Sequence, residues 1–508
     1  MRSRYLRIAA VVGLLIYGGF LFKHASYAVG GSDGTGYVRI ARSLLHGGLV
    51  ERVVELEQFN LPDEMLHTFI PLAYTPGTGA RTMTPFYPVG VPLHMALGAA
   101  LAGWDYGPFL VSPLAAVLSL VLIYLIGLEL GLSRGFSMAG AMFLGAGASF
   151  IFMALSPMSD VVATCWALAA IWASLRSRKR DSWALLAGAA FGMAFLVRPI
   201  NLMLMIPILF SLRLKPRTLL CFVLGGLPLA AIFFGYNTAA YGHPLRTGYA
   251  AIGLYNEIIF AGFTTRLGHY VYWLIMTMSP LILLGWLGVA VNRKVHWRIR
   301  AMLITWFGLF LLFYCCYSFY DTWWYTRFLL PGYPAMILGA LLTGRSLVDW
   351  FTAGGGERRL VWGRRAALAI LLAVVLGFEL YYVRHFDVRS TGAVESMHSI
   401  SCRMVEETAP PRALVVSMEM SGALKFYTGR PIVRWDLIEP DQWRLLKNHA
   451  GERSYQFYAL LMEHELEGAQ RRMPGKWTQL GTVRHISLWK IESASGDCAN
   501  LTLYFGSL

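Results

Sequence analysis

Charged residues are scarce in this chain. Aspartate, glutamate, lysine and arginine together make up only 14% of the 508 residues, whereas hydrophobic residues make up 56% and the mean hydropathy is +0.51. A water-soluble domain of this length needs more charge to stay in solution, so the composition argues against a soluble protein. It favours a chain whose solvent is mostly lipid.

Cysteine is also rare, and the six cysteines show no spacing typical of a metal site. The cysteines therefore indicate no cysteine-bound metal; no cofactor is predicted, and a divalent metal is left open without support from the sequence. Cys402 and Cys498 lie near the two ends of the last, more polar region, where they would pair in an oxidising compartment. The others lie in apolar segments and are expected to be packing residues: Cys165, Cys221, Cys315 and Cys316.

Long apolar runs, by contrast, are abundant. About eleven segments of roughly 15–25 residues approach the length of about 20 residues that crosses the hydrocarbon core. We therefore predict a polytopic α-helical membrane protein with about eleven transmembrane helices. The segments are 8–22, 108–128, 136–155, 161–175, 183–197, 199–212, 218–236, 270–291, 301–319, 328–344 and 366–383.

The formal net charge of +15 would suit a nucleic-acid-binding protein, but its distribution indicates membrane topology instead. The basic clusters fall in alternate loops, which places Met1 and these loops in the cytoplasm by the positive-inside rule. No nucleic-acid partner is predicted. A signal peptide over residues 1–28 is the alternative, and Asp33 is outside in both cases. The clusters are 2–7, 176–180, 213–217, 293–300 and 358–365.

This topology places two long regions outside the membrane. The first outer loop, 24–107, is predicted to hold a short amphipathic helix in YVRIARSLL and a juxtamembrane helix within 85–103. The second region, 384–508, is predicted to be an extracytoplasmic α/β domain, and 1–383 to be the transmembrane domain. The predicted strands of the region 384–508 are ALVVSM, PIVRW, YQFYALLM and HISLWKI, and its predicted helices are SGALKFYTG, DQWRLLKNHAG and HELEGAQRRM.

Four ionisable residues fall at the predicted outer face, where their cost makes them candidates for function. Asp33 lies in the glycine-rich segment GGSDGTG after the first span, and Asp160 lies between the third and fourth spans. Arg198 marks the turn between the fifth and sixth spans, and Arg327 begins the tenth. The structural alternatives are a helix cap for Asp160 and arginines that extend to lipid phosphates.

A family resemblance connects these positions. The pattern D-x3-Y-x3-A-x2-L-x2-G from Asp33 through Tyr37 to Gly47 resembles the first outer loop of GT-C glycosyltransferases, the membrane enzymes that include protein O-mannosyltransferases and the lipid A aminoarabinose transferase. Further stretches resemble bacterial members in the same order and with the same sidedness. These are YPVGVPLHMALGAALAG, SPMSD, YNTAAYGHPLRTGY, RFLLPGYPAMILGA and SGALKFYTGRPIVRWD.

The resemblance implies a GT-C fold and an inverting glycosyltransferase. Such an enzyme moves a sugar from a polyprenyl-phosphate carrier to a lipid, glycan or protein hydroxyl at the outer face of a bacterial inner membrane. Asp33 would be the general base, and Asp160 would hold the acceptor or orient an arginine. Substrate-binding roles are implied for Tyr37, Arg198, Arg327, His243, Tyr249 and Asp321.

One departure from the family keeps two other functions open. Many relatives carry two adjacent acids in the first loop, whereas Ser32 and Gly34 flank Asp33 here. A non-catalytic membrane assembly subunit is therefore an alternative. A transporter or flippase of a lipid-linked sugar is another, although the charges lie at one face and the sequence indicates no paired broken helices in two halves.

Overall fold

The computed structural model describes residues 2–318, 321–352 and 358–492, which are mostly α-helical and form two compact units. The first unit comprises Met1–Tyr27, Pro88–Ala239 and His243–Gly392. The second comprises Ala28–Tyr87, Ala240–Gly242 and the described part of Ala393–Leu508. Most of the first outer loop thus belongs to the same unit as the carboxyl-terminal region. The predicted domains, 1–383 and 384–508, were divided by membrane sidedness instead, and that division stays a prediction.

The first unit is built from helices, several of them apolar throughout. Short 3₁₀ helices at Pro199–Leu204, Leu254–Glu257, Trp323–Gly332 and Val388–Ser390 connect some of them. The α-helices are Arg2–His24, Gly90–Ala102, Gly107–Glu129, Arg134–Ala146, Ala148–Leu155, Ser159–Arg176, Trp183–Val197, Met205–Ser211, Pro216–Tyr241, Gly248–Ala251, Phe263–Met278, Pro280–Val291, Trp297–Tyr314, Tyr333–Thr352 and Arg358–His385.

Four helices in the described part are long and apolar enough to cross a membrane, and six if each bent pair is one span. The bent pairs are Arg134–Ala146 with Ala148–Leu155, at 62°, and Phe263–Met278 with Pro280–Val291, at 113°. Sequence periodicity did not indicate these breaks. Shorter apolar helices such as Trp183–Val197 add to the set. The prediction of a helical membrane protein agrees with this architecture, and the number eleven stays a prediction.

Small residues allow two of these helices to pack closely. A Cβ atom added at Gly188 or Gly192 of the helix Trp183–Val197 would collide with Phe222 or Leu229 of the helix Pro216–Tyr241. The four-residue spacing of the two glycines is the pattern that lets helix backbones approach inside a membrane. This contact fixes the helix whose end carries Arg198.

The second unit combines the loop 28–87 with the carboxyl-terminal region. Its loop part contains the helices Ser32–His46 and Glu55–Gln58, the 3₁₀ helix Asp63–Phe69 and a three-stranded antiparallel sheet. The strands of this sheet are Glu51–Arg52, Thr82–Pro85 and Tyr74–Pro76, in that spatial order. The predicted short helix after the first span is confirmed, but it begins at Ser32, so Asp33 lies in its first turn rather than in a bend before it.

The carboxyl-terminal region is a mixed five-stranded sheet with helices, as the sequence predicted. The strands lie in the order Ile432–Val433, Ala413–Val416, Gln456–Met462, Ile486–Glu492 and Lys476–Val483. The first three are parallel and the last two are antiparallel to their neighbours. The helices are Thr391–Thr408, Ser421–Tyr427, Pro440–Glu452 and Leu466–Arg472. All four predicted strands and three predicted helices are confirmed; the strand Lys476–Val483 and the helix Thr391–Thr408 were not predicted.

The predicted Cys402–Cys498 disulfide stays a prediction, because Cys498 lies outside the described residues. Cys402 is fully buried in the core of this region, and burial raises the pKa of its thiol to about 12.

A buried carboxylate ties the ends of the parallel strands together. Glu465 is 1% exposed and accepts a hydrogen bond from Trp435 Nε1 at 2.8 Å. Its two oxygens also accept the backbone N–H groups of Met418, Glu419 and Met462 at 2.8–3.2 Å. These donors follow or end three neighbouring strands. A buried charge supplied with four donors stabilises the fold, because each donor would otherwise be buried without an acceptor.

We expect Glu465→Ala to destabilise this region by roughly 3 kcal/mol, since several buried N–H groups lose their acceptor. Hydrogen–deuterium exchange on the full-length protein in detergent should show faster exchange in Ala413–Val416 and Gln456–Met462. Glu463→Ala is the matched control, because that neighbouring carboxylate is exposed. Equal exchange in the two variants would contradict a role for the buried carboxylate.

Candidate functional site

Asp33 lies in the first turn of the helix Ser32–His46, where the positive end of the helix dipole favours a carboxylate. The side chain is half-buried, so it retains access to solvent. Further along the helix, Tyr37, Ile40 and Ala41 are buried as the apolar pattern predicted, whereas Leu44 is exposed. Local sequence thus accounts for the helix and for the acid at its amino terminus.

A tyrosine that the sequence did not single out holds the carboxylate. Tyr87 Oη donates a hydrogen bond to Asp33 Oδ1 at 2.8 Å, and its ring is buried. Burial, and next the charge of Asp33, raise the pKa of Tyr87 well above its ordinary value, so its hydroxyl stays protonated and acts as a donor. A Cβ atom at Gly36 would collide with this ring, and Tyr37 packs against it at a centroid distance of 4.9 Å.

The carboxyl-terminal region supports the segment that carries Asp33. The hydroxyl of Tyr427 accepts from Val29 N at 2.8 Å and donates to Val29 O at 3.1 Å. A Cβ atom at Gly422 would lie 2.9 Å from Thr35 Oγ1, so only glycine permits this close approach of the helix Ser421–Tyr427. The stretch SGALKFYTG, noted for its family resemblance, therefore positions the acidic loop.

We expect Tyr87→Phe to lower turnover about tenfold and to leave the apparent KM for the acceptor nearly unchanged. The variant keeps the ring but removes the hydrogen bond that orients the Asp33 carboxylate. Tyr74→Phe is the matched control, because it removes another buried tyrosine hydroxyl of the same unit. Equal turnover of Tyr87→Phe and Tyr74→Phe would contradict the positioning role.

Asp160 and Arg198, both predicted site residues, form a buried ion pair in the first unit. Asp160 is 1% exposed in the first turn of the helix Ser159–Arg176, and its Oδ1 accepts from Arg198 Nη1. Met158 is the N-cap residue of that helix, so Asp160 is not its cap. Arg198 occupies the break between the helix Trp183–Val197 and the 3₁₀ helix that follows. The predicted turn at Arg198 is confirmed.

Arg327 gathers with Arg198 around one aromatic ring. The guanidinium carbon of Arg327 lies 5.1 Å from the ring centroid of Phe328, and that of Arg198 lies 5.4 Å from it. Trp324 also packs against Arg327, at 5.6 Å. Both guanidinium groups thus face the same ring, and guanidinium geometry suits a phosphate. The structure thus brings together three of the predicted residues.

The remaining predicted residues lie in loops of the first unit. Asp321 is largely exposed, and its Oδ1 lies 2.9 Å from His269 Nδ1 and accepts from Trp273 Nε1 at 3.3 Å. The hydrogen bond with His269 lowers the pKa of Asp321. His243 is exposed, and its Nδ1 accepts from Leu245 N within the same turn. Tyr249 is half-buried in the short helix Gly248–Ala251. Their substrate-binding roles stay predictions.

The described residues contain no group of three or more histidine, cysteine, aspartate or glutamate side chains arranged to hold a metal ion. The side chains described above supply a carboxylate with an aligned donor and two guanidinium groups that face one aromatic ring.

Comparisons with known proteins agree with this architecture. Residues 87–236 match the family model of the dolichyl-phosphate-mannose-protein mannosyltransferases. A search of curated protein sequences gave no match. Among solved structures, ArnT from Cupriavidus metallidurans bound to undecaprenyl phosphate has a TM-score of 0.53 at 12% identity, and the match covers 95% of this chain and 98% of that one.

Two further structures share the fold. The arabinofuranosyltransferase AftD from Mycobacteria has a TM-score of 0.53 at 14% identity, over 98% of this chain and 40% of that one. The oligosaccharyltransferase of Archaeoglobus fulgidus in the apo form has a TM-score of 0.50 at 12% identity, over 96% and 74%. The family match over residues 87–236 and the fold shared with these three proteins support the resemblance to GT-C glycosyltransferases seen in the sequence.

Proposed function

We propose that the chain is an inverting glycosyltransferase that uses a polyprenyl-phosphate-linked sugar. The observation that carries the proposal is the half-buried Asp33 carboxylate, whose Oδ1 is held by Tyr87. This hydrogen bond orients the carboxylate that we assign as the base. The likeness in fold to a protein whose structure contains undecaprenyl phosphate, and the mannosyltransferase family match, support the choice of donor class.

The proposed reaction is a single displacement. Asp33 takes the proton of the acceptor hydroxyl as its oxygen attacks the anomeric carbon of the sugar. The bond from that carbon to the phosphate oxygen breaks, and the electron pair leaves with the polyprenyl phosphate. Attack opposite the departing phosphate inverts the anomeric configuration. Phosphate is already a good leaving group, so positioning and one base supply most of what the reaction requires.

The second part of the proposal assigns the phosphate to Arg198 and Arg327. Negative charge grows on the leaving phosphate, and fixed guanidinium groups stabilise it more than flexible ammonium groups do. Asp160 holds Arg198 through their ion pair and so acts as a positioning residue. Asp160 thus has a role without touching the sugar.

The location of the reaction follows from the charge distribution of the sequence. The positive-inside rule places residues 24–107 and 384–508 at the outer face, which in a bacterial inner membrane is the periplasm. The acceptor is a lipid, glycan or protein hydroxyl that reaches that face.

Purified protein in proteoliposomes, supplied with a panel of polyprenyl-phosphate sugars and membrane acceptors, tests the proposal. The expected result is release of polyprenyl phosphate, measured by mass spectrometry, with an inverted anomeric configuration in the product. The two bent helix pairs keep a flippase as a second candidate, because broken helices are a feature of transporters. Transbilayer movement of an intact sugar lipid without release would support the flippase and contradict the enzyme. Neither reaction, with folding intact, would support a non-catalytic assembly subunit.

A further inference from the structure

A long apolar groove lies along the first unit, and Asp160, Arg198 and Arg327 are not among the residues that line it. It consists of two adjoining cavities of about 880 and about 940 Å³, which share lining residues such as Leu14, Leu120 and Met142. The helices that form its walls are Arg2–His24, Gly107–Glu129, Arg134–Ala146 and Arg358–His385.

The dimensions and lining of the groove suit a lipid chain. From Ala369 to Arg384 the last helix rises about 22 Å, at 1.5 Å per residue, and one leaflet of hydrocarbon is about 15 Å thick. Apart from two tyrosines and three arginines, the lining side chains are apolar. Tyr17, one of the two, already donates to Gly145 O at 3.0 Å. Water does not fill an apolar cavity of this kind, so hydrocarbon is the occupant that the lining favours.

Two of the three arginines that line the groove belong to the same one of its two cavities, and the third, Arg134, lines the other. Arg384 and Arg389 are exposed and both line the former cavity, and within the described residues neither guanidinium forms an ion pair. Asp387 lies between them in sequence but pairs with neither. Gly392 packs against the backbone of His24, so the basic end of the first helix is also close. The negative end of the dipole of its own helix explains why an arginine occurs at position 384. It does not explain Arg389, which lies beyond the end of that helix.

We propose that this groove is a binding site for an anionic phospholipid, distinct from the site for the sugar donor. An acyl chain lies in the groove, and the phosphate of the headgroup contacts Arg384 and Arg389. A net negative headgroup is favoured over a zwitterionic one, because the ammonium group of the latter offsets its phosphate. The site holds the last helix of the unit against the first helix by means of the lipid.

Native mass spectrometry of the full-length protein in a neutral detergent tests the site with two probes, phosphatidylglycerol and phosphatidylethanolamine of the same acyl chains. Wild-type protein is expected to retain phosphatidylglycerol preferentially. Arg384→Gln with Arg389→Gln should weaken phosphatidylglycerol binding about tenfold or more and leave phosphatidylethanolamine unchanged. The matched control is Arg213→Gln with Arg217→Gln, two exposed arginines of a basic loop outside the groove, which should retain the preference.

A second variant tests the apolar part. Gly13 lines the groove, and a Cβ atom there meets no atom within 4 Å, so Gly13→Phe fills open space without disturbing the helix. It should weaken the binding of both phospholipids alike. Equal retention of the two lipids by wild-type protein would overturn the proposal. So would displacement of phosphatidylglycerol by equimolar polyprenyl phosphate in the wild type, since the groove would then hold the carrier.

Discussion

Substitution of Asp33 by asparagine is expected to lower turnover about a hundredfold or more, the usual range for loss of a general base. The amide has the size and shape of the carboxylate, and its oxygen still accepts the hydrogen bond that Tyr87 Oη makes at 2.8 Å. What asparagine lacks is the ability to take a proton from the acceptor. Affinity for polyprenyl phosphate, which we assign to the arginines of the first unit, should change little.

The measurement combines two readouts on the same preparations. Turnover is followed as polyprenyl phosphate released from a donor of the panel, and affinity is measured by retention of polyprenyl phosphate in native mass spectrometry. Asp63→Asn is the matched control, because it changes an exposed carboxylate of the same unit that pairs with Arg81. If Asp33→Asn retains near-normal turnover while Asp33→Ala also does, the acid only begins a helix and the proposed mechanism is wrong.

The strands of the carboxyl-terminal region were predictable because their apolar residues are consecutive. Ala413–Val416 and most of Gln456–Met462 are buried, so β-branched and aromatic runs marked them directly. The strand Lys476–Val483 lies at the edge of the sheet and exposes most of its residues. Its sequence, KWTQLGTV, therefore lacks the apolar run that identified the others.

The helix breaks in the first unit escaped prediction for a different reason. Hydropathy measures only whether side chains prefer lipid. At a bend the side chains can stay apolar, because other parts of the protein supply hydrogen bonds to the backbone groups that the bend exposes. The segment 136–155 appeared as one span, but a bend of 62° separates Arg134–Ala146 from Ala148–Leu155. Counting spans from apolar runs cannot detect such a bend.

The acids and arginines of the candidate site were predictable singly, but their partners were not. An ionisable residue in an apolar chain is conspicuous because of its cost. Tyr87, which donates to Asp33, lies 54 residues further along the chain. It begins the stretch YPVGVPLHMALGAALAG, whose family resemblance does not indicate which residue contacts the acid. Tyr37, which the resemblance marked as a substrate-binding residue, packs in the structure against the ring of Tyr87.

Substitutions in the ion pair between Asp160 and Arg198 test whether Arg198 stabilises the fold, binds the phosphate, or does both. Arg198→Ala is expected to destabilise the protein by about 3–5 kcal/mol, because it leaves Asp160 buried and charged without its partner. The same variant should bind polyprenyl phosphate at least tenfold more weakly, since it removes one of the two guanidinium groups that face Phe328. Arg198→Ala alone cannot distinguish weaker binding caused by lost stability from weaker binding caused by the missing guanidinium group.

The double variant Asp160→Asn with Arg198→Gln distinguishes the two effects. Because neither position then carries a buried charge, the melting temperature of this variant in detergent should return most of the way to that of the wild type. Its affinity for polyprenyl phosphate should stay low, because no guanidinium has been restored. Arg198→Lys keeps the charge but not the planar geometry, and should fall between wild type and Arg198→Ala in affinity. If the double variant binds polyprenyl phosphate as tightly as the wild type, Arg198 serves only to neutralise Asp160, and the phosphate must be held by other groups.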